Sequence, residues 1–190
     1  MSRFWVIGVV LALAVAGCSS GAADEPSSTT SRPVATARPT ATAAETVPAP
    51  PGMPAEAREA TAAGAAAFVR HWFDVANHAY ATGDTLALQA ISSPDCQTCT
   101  NTIETIDDQY ASGGSFKDGQ ITVELAEAAP PDATGTSIVS TRIDQQPLQR
   151  IGADEAPGER SDGEEDLTLA ARAQHDGERW IMLAIAPGDA

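Results

Sequence analysis

The sequence predicts an α+β domain, with helices in its first half and an antiparallel sheet in its second. Three observations carry this. Apolar residues recur at spacings of three and four as far as Tyr110, the period drops toward two after Gly114, and Asp176-Gly177 separates two alternating runs near the end. Helices that precede the strands, instead of alternating with them, argue against a parallel βαβ arrangement. They place a long helix across a curved antiparallel sheet, a cone-like shape with a pocket between the two.

The first helix is expected from Pro54, which suits a first turn, through Ala57, Ala60, Gly64, Phe68, Trp72, Val75 and Ala79 to a stop at Gly83. Asp84 then caps a short second helix carrying Leu86, Leu88 and Ile91. Ser93-Pro94 opens a third, with Cys99, Ile103, Ile106 and Tyr110 on one face until Gly113-Gly114. Ile121, Val123 and Leu125 mark the first strand, and a second runs from Thr136 to Ile143 beyond the Pro130-Pro131 break. Residues 152–165 are rich in Gly, Pro, Asp and Glu, which predicts an exposed acidic loop. Leu167, Leu169, Ala171 and Ala173 then enter Asp176-Gly177, a preferred pair for a tight type I′ turn, and Trp180, Met182 and Ala184 return. Ile181, Leu183 and Ile185 fill the alternate positions, so the last strand is apolar on both faces and is expected to be central or helix-covered.

The chain ahead of this domain has a different character. Arg3 precedes an apolar run from Phe4 to Val15, which is too short to span a bilayer and has the parts of a secretory signal. Val15-Ala16-Gly17-Cys18 resembles the bacterial lipobox. That resemblance implies cleavage behind Gly17 and a diacylglycerol on Cys18, anchoring the protein to the extracytoplasmic face of the cell membrane. Two or more acyl chains hold firmly where one is marginal. An ordinary signal cut after Ala14 or Ala16, with Cys18 incidental, is the competing reading. Residues 1–17 are thus a lipoprotein signal peptide, 18–53 a tether and 54–190 the single domain. The tether is built from Ser, Thr, Ala, Pro and Gly without an aromatic, and cannot bury enough apolar surface to offset its ordering entropy. It reaches roughly 30 to 35 Å as a coil and about 100 Å as polyproline II.

Charge narrows the partners. The chain has 26 acidic and 11 basic side chains, a formal charge of -15, and only Lys117 among its lysines. Nucleic acid is excluded as a partner, because phosphate binding needs clustered cations.

With Cys18 assigned to lipid, Cys96 and Cys99 remain as a pair. Outside the cytoplasm they are expected to oxidise to each other. A structural disulfide would clip the start of the third helix, worth about 2 kcal/mol for so short a loop. A redox centre is the second reading, since a helix N-terminus favours the thiolate, and a metal ligand pair is the third. Zinc wants four ligands, and no second Cys-x-x-Cys or spaced His pair is present.

His71, Asp74, Asn77 and His78 form a cluster on the first helix that could act as a metal or acid-base set, or lie half exposed without a role. Phe68, Trp72, Tyr110, Trp180 and Met182 are the large side chains available either to fill the core or to line a pocket. Asp107, Asp108, Tyr110 and Tyr80 are candidates for its mouth. No catalytic triad, phosphate loop, calcium loop or cofactor motif occurs, so neither catalytic residue nor cofactor nor metal is assigned.

The blocks Ala65-Ala66-Ala67-Phe68-Val69-Arg70, Thr82-Gly83-Asp84 with Leu88, Ser93-Pro94, Cys96-Gln97-Thr98-Cys99 and the closing Asp-Gly-x-x-Trp hairpin resemble an actinobacterial lipoprotein family, domain of unknown function 6318. The likeness covers about residues 48 to 186. It implies a fold related to the nuclear transport factor 2-like proteins, and no activity or catalytic residue. Much of that superfamily has strands between the second and third helices, for which Ser92-Ser93-Pro94 leaves no room. The expectation is a non-enzymatic envelope lipoprotein that binds an envelope protein or a small apolar ligand. A ketosteroid-isomerase type enzyme and a spacer or adhesin are the alternatives.

Overall fold

The computed structural model describes residues 47–188, which fall within one unit, Ala44–Ala190. The expectations for Cys18, the signal peptide and the tether up to residue 46 lie outside the described residues. From Val47 to Pro54 the chain has no regular structure, and Met53 packs against the core.

A 3-10 turn at Glu56–Arg58 precedes α1, Ala62–Thr82. The long helix therefore starts later than Pro54. Glu59 is extended at φ -81°, ψ 134°, and Thr61 caps the new start by accepting from the Gly64 amide at 3.0 Å. Gly64 is what permits this entry, because a Cβ there would overlap the Glu59 carbonyl. The other end is as expected. Gly83 takes φ 77°, and its amide donates to the Ala79 carbonyl at 2.8 Å.

The second helix, α2, covers Leu86–Ala90, with Asp84 accepting from the Leu86 amide at 3.1 Å. Of its leucines only Leu88 is buried, whereas Leu86 is 74% exposed. The third, α3, spans Gln97–Ala111 and begins at Cys96, not at Ser93-Pro94. Those residues form a turn held by the Cys96 amide on the Ser93 carbonyl.

Seven strands follow: β1 Ser115–Asp118, β2 Ile121–Ala128, β3 Thr136–Gln145, β4 Leu148–Ile151, β5 Pro157–Arg160, β6 Glu164–His175 and β7 Trp180–Pro187. They make two antiparallel sheets, one ordered β2-β3-β6-β7 and one ordered β1-β4-β5. The α+β class thus holds, with two sheets where one was expected. The small sheet takes part of its material, β5, from the stretch expected to be an acidic loop. Every residue of β5 is exposed, so pairing with β4 and not hydrophobic patterning makes it a strand.

The large sheet follows its pattern. Along β3, Ser137, Val139, Thr141 and Ile143 are buried while Ile138, Ser140 and Arg142 are exposed, so one face meets α1. Two details of its last hairpin differ from expectation. The turn has four residues, with the Asp176 amide donating to the Arg179 carbonyl and the Asp176 carboxylate accepting from the Glu178 and Arg179 amides. Only Gly177 takes a positive φ, which excludes type I′. A bulge between Met182 and Ala184 then shifts the register, so Ile185 is buried and not Ala184.

Strand β7 is an edge strand and not a central one. Its apolar second face fits the helix-covered alternative, since α3 lies against β7, and its edge is covered as well. The segment Ile91–Ser93 lies along it, the Met182 amide donating to the Ile91 carbonyl at 2.9 Å and the Ser93 amide to the Met182 carbonyl at 2.8 Å. Thr98 Oγ1 on α3 donates to the Ile185 carbonyl at 2.8 Å.

Candidate functional site

Between α1 and the large sheet the interior is packed with side chains. Phe68, Trp72, Trp180 and Met182 are each at most 2% exposed, and the Phe68 and Trp180 rings stack with centroids 6.2 Å apart. Burial of each such side chain contributes about 1.5–3 kcal/mol. Both indole N–H groups have partners. Trp72 Nε1 donates to Ser92 Oγ at 2.9 Å and Trp180 Nε1 to the Glu59 carbonyl at 3.0 Å. The fifth side chain of this group, Tyr110, is half-buried and lies elsewhere, at the end of α3 against the small sheet.

The candidate set on α1 is divided by the structure. Asn77 clamps the edge of the large sheet: its Nδ2 donates to the Ile121 carbonyl at 2.8 Å and its Oδ1 accepts from the Ile121 amide at 2.9 Å. Two turns earlier on the same side, Arg70 donates to the Val123 carbonyl at 2.8 Å. These two polar residues satisfy main-chain groups on β2 that would otherwise face outward. His71 is only 4% exposed, and burial pulls its pKa below 6.5 while Asp74 draws it the other way. The buried Nε2 of His78 has no hydrogen-bond partner. Among the described residues no group of three or more His, Cys, Asp or Glu is placed to hold a metal.

The best-built polar corner lies where the C-terminal ends of α1 and α3 meet the small sheet. Phe116 of β1 is its centre. The Tyr80 ring meets it edge-on with centroids 5.2 Å apart, Tyr110 packs tilted at 6.3 Å, and the Arg150 guanidinium sits 5.3 Å over its face. Arg150 and Phe116 are cross-strand partners in β4 and β1, which is why they meet. Gln109 ties the corner together, its Oε1 accepting from Arg150 and its Nε2 donating to the Ile151 and Ser115 carbonyls. The Tyr110 hydroxyl donates to the Tyr80 carbonyl at 2.8 Å. Burial pushes the Tyr80 phenol up, with the Arg150 charge and the Thr102 side chain pulling it down, and burial raises Tyr110 likewise. Both phenols are therefore neutral at physiological pH and act as hydrogen-bonding groups, not bases. Asp107, expected near a pocket mouth, instead accepts from Thr85 Oγ1 at 2.8 Å and holds the start of α2.

Cys96 and Cys99 form a disulfide. Both residues are fully buried, and Cys96 Sγ accepts from the Cys99 amide at 3.3 Å, so the bridge is also the N-cap of α3. A sulfur without solvent access is a poor target for an incoming thiolate, which favours the structural reading over a catalytic redox centre.

Surface depressions have mixed polar and apolar linings. One of about 650 Å³ opens between Thr122, Asp144, Gln145, Gln146, Pro147 and Glu165. Another of about 360 Å³ includes Asn77, Tyr80 and Asp118. Neither is walled by Phe68, Trp72, Trp180 or Met182.

A profile for a family of unknown function (DUF6318) matches residues 35–186. The chain belongs to that family. No curated protein matches it. Among solved structures, Aln2 from a Streptomyces species is similar at a TM-score of 0.40 and 8% identity, over 63% of this chain and 87% of that one.

In this DUF6318 member, the residues that sequence reasoning missed are Arg150, Phe116 and Gln109. Phe116 stands alone among polar neighbours in a four-residue strand, and Gln109 and Arg150 are 41 residues apart. No local pattern joins them. Only the pairing of β1 with β4 brings them together.

Proposed function

We propose that this protein is a lipid-anchored cell-envelope lipoprotein whose domain, built on a nuclear transport factor 2-like framework, is a non-enzymatic binding module for an envelope protein. The anchor reading rests on Val15-Ala16-Gly17-Cys18 directly after an apolar run that is too short to span a bilayer. A buried Cys96–Cys99 disulfide suits an oxidising compartment outside the cytoplasm. No helix of the described residues is long and apolar enough to cross a membrane. The framework reading is supported by a long helix lying against a large antiparallel sheet.

The observation that carries the binding reading is the filled interior. Phe68, Trp72, Trp180 and Met182 occupy the space where a fold of this kind would hold a small apolar ligand. Recognition is then left to the surface, and a partner protein is favoured over an enclosed small molecule.

Two measurements test this. The full chain made in an actinobacterial host should incorporate labelled fatty acid and partition into detergent, and Cys18→Ala should abolish both. Equal membrane retention of Cys18→Ala overturns the anchor. Crosslinking in native cells should recover an envelope protein with the full chain and lose it when residues 54–190 are deleted. Recovery of the same partner by the tether alone overturns the binding domain in favour of a spacer.

A further inference from the structure

We infer that the groove across Ile138, Arg172 and Leu183, on the large sheet, is where the domain receives its partner, and that the partner supplies an extended segment carrying a carboxylate beside an apolar side chain. This rests on the reading of the domain as a protein-binding module and names the surface that does the binding.

The sheet registers put these residues in one row. Ile138 of β3 stands directly opposite Arg172 of β6, and Arg172 stands opposite Ala184 of β7, where the bulge leaves Leu183 as the extra residue. Ile138 is exposed while its neighbours Ser137 and Val139 are buried, so the row lies on the face of β3 and β6 turned away from α1. Pro130 closes one end, because the Ala129 amide donates to the Ile138 carbonyl at 3.0 Å and carries the chain past it. The result is an open depression of about 470 Å³.

Two side chains here lack what their counterparts elsewhere have. Ile138 is 60% exposed, and the other large apolar side chains exposed among the described residues, Val47 and Leu86, lie outside this row. Arg172 is the second. Arg58 and Arg70 donate to main-chain carbonyls, Arg150 donates to Gln109, and Arg142, Arg160 and Arg179 pair with aspartates. Among the described residues Arg172 is the one arginine with no such partner. A free guanidinium between two apolar side chains complements a carboxylate on an apolar body. The acid on the rim does not take that role. Asp132 Oδ1 accepts from the Thr134 and Thr136 amides and from the Thr134 hydroxyl, which ties it to its own turn. The acidity of the chain as a whole does not forbid an acidic segment either, since screening beyond about 8 Å leaves the local contact to decide.

Geometry sets the spacing on the partner. Directly opposed residues have Cβ atoms about 5 Å apart, and side chains two residues apart on an extended segment lie about 7 Å apart on one side. A segment with Asp or Glu two residues from Leu, Ile or Phe therefore meets Arg172 and Ile138 together.

The test uses the full anchored chain in its native cells, with photoreactive benzoylphenylalanine in place of Ile138. Irradiation should join it to an envelope protein, and mass spectrometry should place the joined residue within about two positions of an Asp or Glu. Arg172→Glu should lower the yield of this adduct about tenfold or more, because like charges then face each other. Arg142→Glu makes the same charge change on β3 outside the groove and should leave the yield unchanged. Equal melting temperatures would show that both variants fold. An adduct that survives Arg172→Glu, falls equally in Arg142→Glu, or joins a second copy of this chain or a lipid overturns the groove. So does a chain that recovers its partner with chemical crosslinkers while position 138 joins nothing, and in that case the binding module still stands. A full chain that recovers no partner by either route removes both.

Discussion

At the residue scale, Gly64 and His71 are the positions where one atom decides the outcome. Gly64 lets the chain enter α1 at an angle, with the Glu59 carbonyl lying where a methyl group would be. Gly64→Ala forces the Glu59 loop outward and with it the carbonyl that receives the Trp180 indole. Overpacking of this kind costs about 1–3 kcal/mol, so the urea midpoint should fall, and a smaller fall than for the cap variant Thr61→Ala, about 1 kcal/mol, would refute the argument. His71 sets a pH dependence. Its folded pKa lies below the unfolded value of 6.5 because burial disfavours the cation. As pH falls through 6.5 the unfolded chain takes up the proton first, so this contribution is complete above 6.5 and is lost progressively below it. The carboxylates of Asp132 and Asp176, held below 3.8 by turn hydrogen bonds, titrate at more acid pH and leave the window from about 5 to 6.5 to histidine. Equilibrium unfolding between pH 7 and 5 should show declining stability, and His71→Asn should flatten that decline. An unchanged slope would remove His71 from the account.

At the scale of elements, the long helix does more than present an apolar stripe. Its opposite flank fastens the β2 edge through Arg70 and Asn77, and Asn77→Ala removes two hydrogen bonds to one residue, a loss of about 1–3 kcal/mol. Exchange should rise first at the Ile121 amide, and a uniform rise across the sheet would mean that Asn77 supports the whole domain and not this edge. How far such elements were legible in the sequence depended on length and on neighbours. The 21 residues of α1 repeat their pattern often enough to be read, and Gly83 marks its end. Strand β3 could be placed as well, although its burial alternates only from Ser137 to Ile143 and puts Ser137 and Thr141 inside with Ile138 outside. Four-residue strands could not, since β1, β4 and β5 each carry too few apolar positions to show a period. Asn77 and His78 were visible as polar residues beside a buried stripe. What the sequence could not hold was the partner, since Ile121 is 44 residues away. The same distance hid the Tyr80, Phe116 and Arg150 corner, while the Cys96–Cys99 pair, three residues apart, was readable at once.

At the scale of the whole molecule, the Trp180 indole bonded to Glu59 ties the start of the folded chain to its finish, 121 residues apart. The core itself is split the same way: α1 supplies Phe68 and Trp72, and β7 supplies Trp180 and Met182. A chain ending at Arg179 should therefore lack cooperative unfolding and the near-ultraviolet signal of packed tryptophan. A native-like melt of that truncation would contradict this division. The order of synthesis gives the division its consequence. Ribosomes deliver α1 before every strand and β7 after the others, so the helix must wait, unpartnered on its apolar stripe, until β7 has been made. Contacts spanning such separations fold slowly. The protein remains threadable for as long as it is being made, and closes only when its final strand arrives.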